Sequence, residues 1–314
     1  MKILVIFTGG TIGSTVKDGW ISTDRATKYA LIEKYKEKFG EKVLFETIEP
    51  YYLLSENLNS EKLNLLIKSV SNAKGQDFDG IIITHGTDTL QFSASAVHLA
   101  FKDTDIPIVF VSANYPLENV LSNGHANFEG AVSLIESGIK SGVYISYKNS
   151  DGKHYIHSAD KALSFCENDD SIYSLNNKPF GIYENSKTKV LNIENEKISV
   201  CKTVFCENPE ILVISAMPGD NYAYDVSKYN AVVLRPYHSG TLNNENCDFK
   251  KFMKSANEQN VPVYLANAPS KTTYETVKEY ESLGIIPLPD STFAYTYMKL
   301  WAGISENKNL KNLF

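Results

Sequence analysis

Short unbroken apolar runs alternate along the chain with longer stretches whose apolar residues recur at helical spacing. The runs are Ile3 to Phe7, Gly80 to Thr84, Ile106 to Ser112 and Val143 to Ser146. Ile- and Val-rich runs without polar alternation suit strands covered on both faces, as in a parallel sheet flanked by helices. The stretches Thr27 to Phe39, Ser60 to Lys74, Thr89 to Phe101 and Ala126 to Lys140 predict those helices. The rhythm as a whole predicts a doubly wound α/β domain. From about Asn176 to Pro209 the pattern changes to a polar stretch rich in Asn, Lys and Glu, with short strand-like pieces such as Lys197 to Val200, and reads as a linker. Beyond it a smaller α/β set resumes, with strands at Ile211 to Ala216, Ala231 to Arg235 and Val261 to Ala266 and a helix at Asp248 to Asn257. The boundary falls near residue 190, giving a larger N-terminal α/β domain over 1–190 and a smaller C-terminal α/β domain over 191–314. No internal repeat or low-complexity segment stands out.

At 314 residues the chain exceeds the size at which one core keeps growing, which agrees with two domains. With 43% hydrophobic and 22% charged residues it has the composition of an ordinary globular protein. A net charge of -6 argues against nucleic acid or an anionic membrane as the main partner, since both need a positive field. The apolar N-terminal run stops at Thr8-Gly9-Gly10, too short for a signal peptide. No run approaches the roughly 18 apolar residues of a membrane span. The cysteines Cys166, Cys201, Cys206 and Cys247 form no C-x-x-C pair, which points to a reducing cytoplasm and against zinc.

Chemistry concentrates where two predicted strands end. The first runs into Thr8-Gly9-Gly10-Thr11-Ile12-Gly13-Ser14. In open α/β sheets ligands bind beyond the carboxyl ends of the strands, near the point where the strand order reverses. Paired glycines let a backbone turn sharply and approach a ligand, exposing Thr11 and nearby amides. A tight turn whose threonine caps a helix accounts for the glycines equally well. Neither G-x-x-x-x-G-K-[ST] nor G-x-G-x-x-G is matched, which disfavours a phosphate loop. The second strand runs into Thr84-His85-Gly86-Thr87-Asp88-Thr89. One of these side chains could cap the following helix, but the cluster exceeds what a cap requires.

These two segments, TGGTI and THGTDT, resemble the bacterial-type L-asparaginase family in order and in position at strand ends. The likeness extends through Ser55-Glu56-Asn57-Leu58, Ser112 to Pro116, Asn123-Gly124 and Asp160-Lys161, and more loosely through Val233 to Arg235 and Leu283 to Ile286. The resemblance implies that Thr11 is a nucleophile and that Thr87, Asp88 and Lys161 form a second hydroxyl, carboxylate and amine unit. It implies that Ser55 holds a substrate α-carboxylate and that Glu56 and Asp88 receive the α-ammonium. Backbone N–H groups of the glycine-bearing loops would hold the developing oxyanion. It further implies a homo-oligomer, dimer or tetramer, in which a partner's smaller domain lends a residue, here Glu275, and it implies no metal or organic cofactor.

Family members commonly place a tyrosine shortly after TGGTI, whereas this chain has Gly19-Trp20-Ile21 there, with the next tyrosine at Tyr29. An indole nitrogen only donates, so Trp20 cannot accept a proton. The segment from Gly13 to Asp24 reads as a lid carrying Trp20. His98 reads as a helix histidine, and His154 and His157 as flanking a loop without metal-ligand spacing. The nineteen tyrosines read as surface and interface area. Lys161 taken alone reads as a solvated lysine, raised only by its motif.

The reading is a cytoplasmic L-asparaginase acting on asparagine through a threonine acyl-enzyme, with glutamine as a secondary substrate. Two alternatives stand beside it. One is a catalytically weak asparagine or aspartate sensor, favoured by Trp20. The other is the asparaginase-like subunit of a tRNA-dependent amidotransferase, a group that usually carries an extra N-terminal domain, while this chain begins at the first strand.

Overall fold

A computed structural model describes residues 1–23, 29–101, 104–139, 141–165, 169–192, 204–268 and 274–314. The chain divides into two compact units, Met1–Lys202 and Thr203–Phe314.

In the first unit the elements run β1 (Lys2–Phe7), β2 (Ser14–Lys17), β3 (Trp20–Thr23), α1 (Ala30–Phe39), β4 (Leu44–Ile48), α2 (Ser60–Ala73), β5 (Gly80–Thr84) and α3 (Leu90–Phe101). They continue with β6 (Ile108–Val111), α4 (Gly124–Glu136), β7 (Val143–Lys148), β8 (His154–Ser158), β9 (Gly181–Glu184) and β10 (Lys187–Val190). Eight strands form one sheet in the order β10-β9-β8-β7-β6-β5-β1-β4. β4, β1, β5, β6 and β7 are parallel, and β8, β9 and β10 extend the sheet antiparallel. From β1 the chain steps to one side for β4 and to the other for β5, β6 and β7, so the reversal lies between β1 and β5. β2 and β3 form a separate hairpin.

The apolar run of β1 serves two cores at once, because successive side chains point to opposite faces. Ile3, Val5 and Phe7 pack with Leu31, Ile32 and Tyr35 of α1 and Phe128, Val132 and Ile135 of α4. Leu4 and Ile6 pack with Leu66 and Val70 of α2 and Ala94 and Val97 of α3. Helices therefore cover both faces. α2 shows the local logic plainly: Asn59 accepts the Lys62 N–H at its N-terminus, and Leu63, Leu66, Val70 and Ala73 make its buried stripe.

The second unit holds β11 (Ile211–Ser215), β12 (Ala231–Arg235), α5 (Cys247–Glu258), β13 (Val263–Ala266), β14 (Ile285–Leu288) and α6 (Phe293–Ser305). Its four strands are parallel, in the order β11-β12-β13-β14. Asn246 caps α5, whose Phe249, Phe252, Met253 and Ala256 pack on Val232 and Leu234 of β12. The other face of β12, through Ala231 and Val233, packs with Leu300 of α6.

Several expectations are corrected. The stretch read as the start of a linker contains the hairpin β9–β10, an integral part of the large sheet; Lys197 to Val200 lie outside the described residues. β4 alternates exposed and half-buried residues as an edge strand does, so it has no apolar run to betray it. His154 and His157 do not flank a loop but sit buried on β8. Tyrosine is not only surface area: Tyr35, Tyr51, Tyr144, Tyr147, Tyr222, Tyr264, Tyr280 and Tyr295 are buried.

Candidate active site

The sheet register pairs the last residues of β1 and β5, Phe7 with Thr84, so the loops that follow leave the sheet side by side at the reversal. Thr8 stitches them together, its Oγ1 donating to the Thr84 carbonyl at 2.6 Å. On the other flank Gly9 bridges Leu53, Gly10 N–H donates to the Leu53 carbonyl at 2.9 Å, and Leu53 N–H donates to the Thr8 carbonyl at 3.1 Å. Three loops thus converge, after β1, after β4 and after β5.

Glycine permits that convergence. Gly9 and Gly10 have φ of 100° and 76°, which side-chain-bearing residues rarely adopt. A Cβ on Gly10 would stand 2.3 Å from the Gly86 nitrogen, and one on Gly9 2.3 Å from the Leu53 oxygen. A Cβ on Gly86 would stand 2.4 Å from Ser55 Oγ. The loops therefore meet backbone to backbone, and the glycines of TGG and HGT serve each other as well as their own turns.

The hydroxyls divide into two groups. Those of Thr8, Ser14 and Thr89 bind backbone: Ser14 Oγ donates to the Gly10 carbonyl at 2.8 Å and Thr89 Oγ1 to the Ser55 carbonyl at 2.9 Å. Those of Thr11 and Thr87 belong to residues that line a cavity of about 460 Å³, together with Gly10, Ser55, Glu56, Asp88 and Trp20. That volume suits a small-molecule ligand. Thr11 opens a short 3-10 turn, Thr11–Gly13, with Gly10 at its N-cap position, so it is not a capping threonine. Ser55 is buried, and its Oγ lies 3.5 Å from Asp88 Oδ2, a long contact between two groups facing the same space.

His85 acts as a strut. It is buried, its Nδ1 lies 2.9 Å from the Gly86 carbonyl, and its ring meets Phe110 edge-on with centroids 6.0 Å apart. Burial pushes its pKa down to about 4, so the imidazole stays neutral near pH 7 and supports the Gly86 backbone without adding charge.

Trp20, 77% exposed, lies on β3 of the hairpin, flanked by Gly19 and Ile21 at the cavity rim. The Tyr52 hydroxyl donates to the Gly13 carbonyl at 2.5 Å and pins the base of this hairpin. Tyr29 directly precedes α1, its ring edge-on to Phe7 with centroids 6.1 Å apart. Lys161 is outside the cavity lining, on the turn after β8. Its side chain is only 12% exposed and its Nζ lies 3.5 Å from Asp160 Oδ2, which corrects the reading of a solvated lysine. Glu275 belongs to the second unit, where it opens the 3-10 turn Glu275–Glu279, is 93% exposed and lies 3.9 Å from Lys278 Nζ. Among the described residues no three His, Cys, Asp or Glu side chains cluster so as to hold a metal ion.

Sequence reasoning missed the supporting residues Tyr52 and Gln91, and it quoted Asp160 only as the neighbour of Lys161. Gln91 carried a usable signal, an amide in the first turn of a mostly apolar helix, and Asp160 stood beside Lys161 in the quoted motif; Tyr52 carried none, because its partner Gly13 is distant in the chain.

A model of the family described as asparaginase, N-terminal, matches residues 2–195. A glutamyl-tRNA(Gln) amidotransferase subunit from Methanobrevibacter smithii is 24% identical over 317 aligned residues, which span 95% of this chain and 71% of that protein. An L-asparaginase from Thermococcus kodakarensis is 30% identical over 148 residues, 47% of this chain and 44% of that protein. Among solved structures, the thermostable L-asparaginase from Thermococcus kodakarensis superimposes with a TM-score of 0.80 at 22% identity, over 100% of this chain and 95% of its own. A probable cytoplasmic L-asparaginase from Campylobacter jejuni gives 0.77 at 19% identity, over 99% of this chain and 97% of its own. Both structures share the fold.

Proposed function

The chain belongs to the asparaginase family, and on that premise we propose that it is a cytoplasmic L-asparaginase that hydrolyses L-asparagine to L-aspartate and ammonia through a threonine ester. The observation that carries this reading is the cavity in which Thr11, Thr87 and Asp88 from two strand ends face Ser55 and Glu56 from a third loop.

Thr11 Oγ1 attacks the amide carbon and gives up its proton, which the departing nitrogen takes as ammonia leaves. A hydroxyl does this only when a neighbour relays the proton, and Thr87 with Lys161 and Asp88 forms the relay. The carbonyl oxygen gathers negative charge. The N–H groups of Gly10 and Gly13 are already bound within the loops, so an N–H at the start of the Thr11–Gly13 turn is the donor assigned to it. Water then cleaves the ester and restores Thr11. Ser55 binds the α-carboxylate, and Glu56 with Asp88 binds the α-ammonium. Glutamine is the poorer substrate, since one methylene in a pocket is worth about 1–3 kcal/mol. The chain self-associates as a dimer or tetramer, with Glu275 reaching a neighbour's cavity.

A second reading has its own support in the 95% span matched by the amidotransferase subunit from Methanobrevibacter smithii: the same cavity releasing ammonia as part of a complex acting on glutamyl-tRNA(Gln). Purified protein is expected to release ammonia from L-asparagine faster than from L-glutamine, with or without EDTA. Turnover of neither free amide would remove the first reading and leave the second.

A further inference from the structure

α3 is buried around almost its whole circumference, yet it carries Gln91, Ser95 and His98. These positions, separated by four and three residues, lie on one face of a helix. All three meet one segment. Gln91 Nε2 lies 3.5 Å from Ser164 Oγ, Ser95 Oγ lies 3.5 Å from the Ala159 carbonyl, and His98 Nδ1 lies 3.9 Å from Asp160 Oδ1. The same Gln91 amide donates to the Asp88 carbonyl at 3.4 Å. One polar stripe therefore reaches the Thr87–Asp88 loop at its start and the turn bearing Lys161 along its length. Each contact is long and weak by itself. What matters is that three of the four buried polar side chains of α3, all but Ser93, share one stripe and face one segment, because polar groups are costly to bury without partners.

Asp160 stands at the centre of that turn. It is buried, and its Oδ1 accepts the Ser158 hydroxyl at 2.5 Å while its Oδ2 lies 3.5 Å from Lys161 Nζ. Burial pushes its pKa up, but His98, Lys161 and the Ser158 hydroxyl together hold it below the usual carboxylate value. Tyr144 of β7 also faces this charge; its own burial pushes it up to about 12, so it remains neutral.

We propose that Asp160 is a positioning residue for the amide hydrolysis: held by His98 from α3 and by Ser158 at the end of β8, it fixes the Lys161 side chain on a segment that Gln91 of α3 ties to the Thr87–Asp88 loop. The inference rests on the functional reading above. It gives the Lys161 amine of that proton relay a fixed place. It also explains why a fully covered helix keeps three polar side chains on one stripe.

The test compares wild type, Asp160→Asn, Lys161→Ala and the double variant, with asparagine and glutamine as substrates. Asp160→Asn keeps the shape of the side chain and an oxygen for the Ser158 hydroxyl. It is expected to lower kcat about 100-fold with KM changed less than about twofold, the signature of misplacement at the reacting groups. Added methylamine is expected to restore part of kcat to Lys161→Ala and none to Lys161→Ala/Asp160→Asn, a readout that a merely structural Asp160 would not produce. Should Asp160→Asn melt well below the wild type, His98→Gln carries the same test, with an expected kcat loss of about tenfold at unchanged KM. Wild-type kcat in the substituted enzyme, or equal amine rescue in both backgrounds, overturns the inference while leaving the asparaginase reading intact. A wild-type enzyme inert towards both amides removes that reading, and the inference goes with it.

Discussion

The two units share a βα rhythm but differ in the order of their strands. In the second unit the parallel strands follow one another as β11-β12-β13-β14, and no reversal separates neighbouring loops. In the first, β4 and β5 leave β1 on opposite sides, and the loops after β1, β4 and β5 meet over the gap. Both sheets place polar residues at their carboxyl ends, yet the described cavity with Thr11, Ser55, Thr87 and Asp88 lies at the reversal. The lesson is that parallel strands alone supply loops, while reversal supplies a place for them to converge.

The largest effect expected from this contrast is on chemistry. Thr11→Ala should lower kcat by about 10⁴-fold, Thr87→Ala should lose most of kcat, and the double variant little more, because groups acting as a unit are non-additive. Ser215→Ala, the matching change at the end of the first strand of the second sheet, should leave kcat within about twofold. Near wild-type kcat in Thr11→Ala, with unchanged melting, would end its assignment as nucleophile.

Acid should separate the units next. Burial lowers the pKa of His85 to about 4 and of His154 and His157 to about 3, and all three belong to the first unit. Each is neutral in the folded protein but takes up a proton near pH 6.5 when unfolded. Their stability contribution is therefore complete above about pH 6.5 and is lost as pH falls towards 4 for His85 and towards 3 for the others. His85 alone accounts for on the order of 3 kcal/mol. In a Trp20→Phe background, Trp301 fluorescence reports on the second unit. Denaturant unfolding of the first unit, followed by loss of activity, should move to lower denaturant as pH falls, ahead of the Trp301 signal. Coincident transitions that do not shift with pH would contradict this assignment.

The glycines sharpen the comparison further. Gly10→Ala forces a side chain to within 2.3 Å of backbone at a φ of 76° and should cost about 2–3 kcal/mol together with most of the activity. Gly219→Ala in the second unit, at a similar φ of 79° but with nothing within 4 Å, should cost only about 1 kcal/mol and leave kcat alone. Equal melting shifts for the two would mean that loop contact matters no more than dihedral strain.

The smallest effect concerns the hairpin. If Trp20 closes over bound substrate, Trp20→Ala should raise KM about threefold to tenfold while Trp20→Phe keeps kcat. Saturating aspartate should change fluorescence in a Trp301→Phe background. Unchanged fluorescence and kinetics would shift attention to Tyr29, whose phenylalanine variant should then cost more than either change at Trp20.

Much of this protein was legible without coordinates, for reasons that are local. Residues Ile3 to Phe7 and Gly80 to Thr84 are covered on both faces, and so appear as unbroken apolar runs that any parallel sheet requires. Gly9 and Gly10, Thr11 and the Thr84 to Thr89 cluster follow those runs directly, so strand end and chemistry are adjacent in the chain. What the sequence could not display depends on partners far away in it. β4, β8, β9 and β10 lack a continuous apolar run because they are edge or antiparallel strands with half-exposed faces. Gly86 owes its absence of a side chain to Ser55, and Gly10 owes its own in part to Gly86. Asp160 owes its burial to His98, and Lys161 its shelter to Asp160. Periodicity reports the face an element turns to its core, but only tertiary packing decides which loop, glycine or charge it meets there.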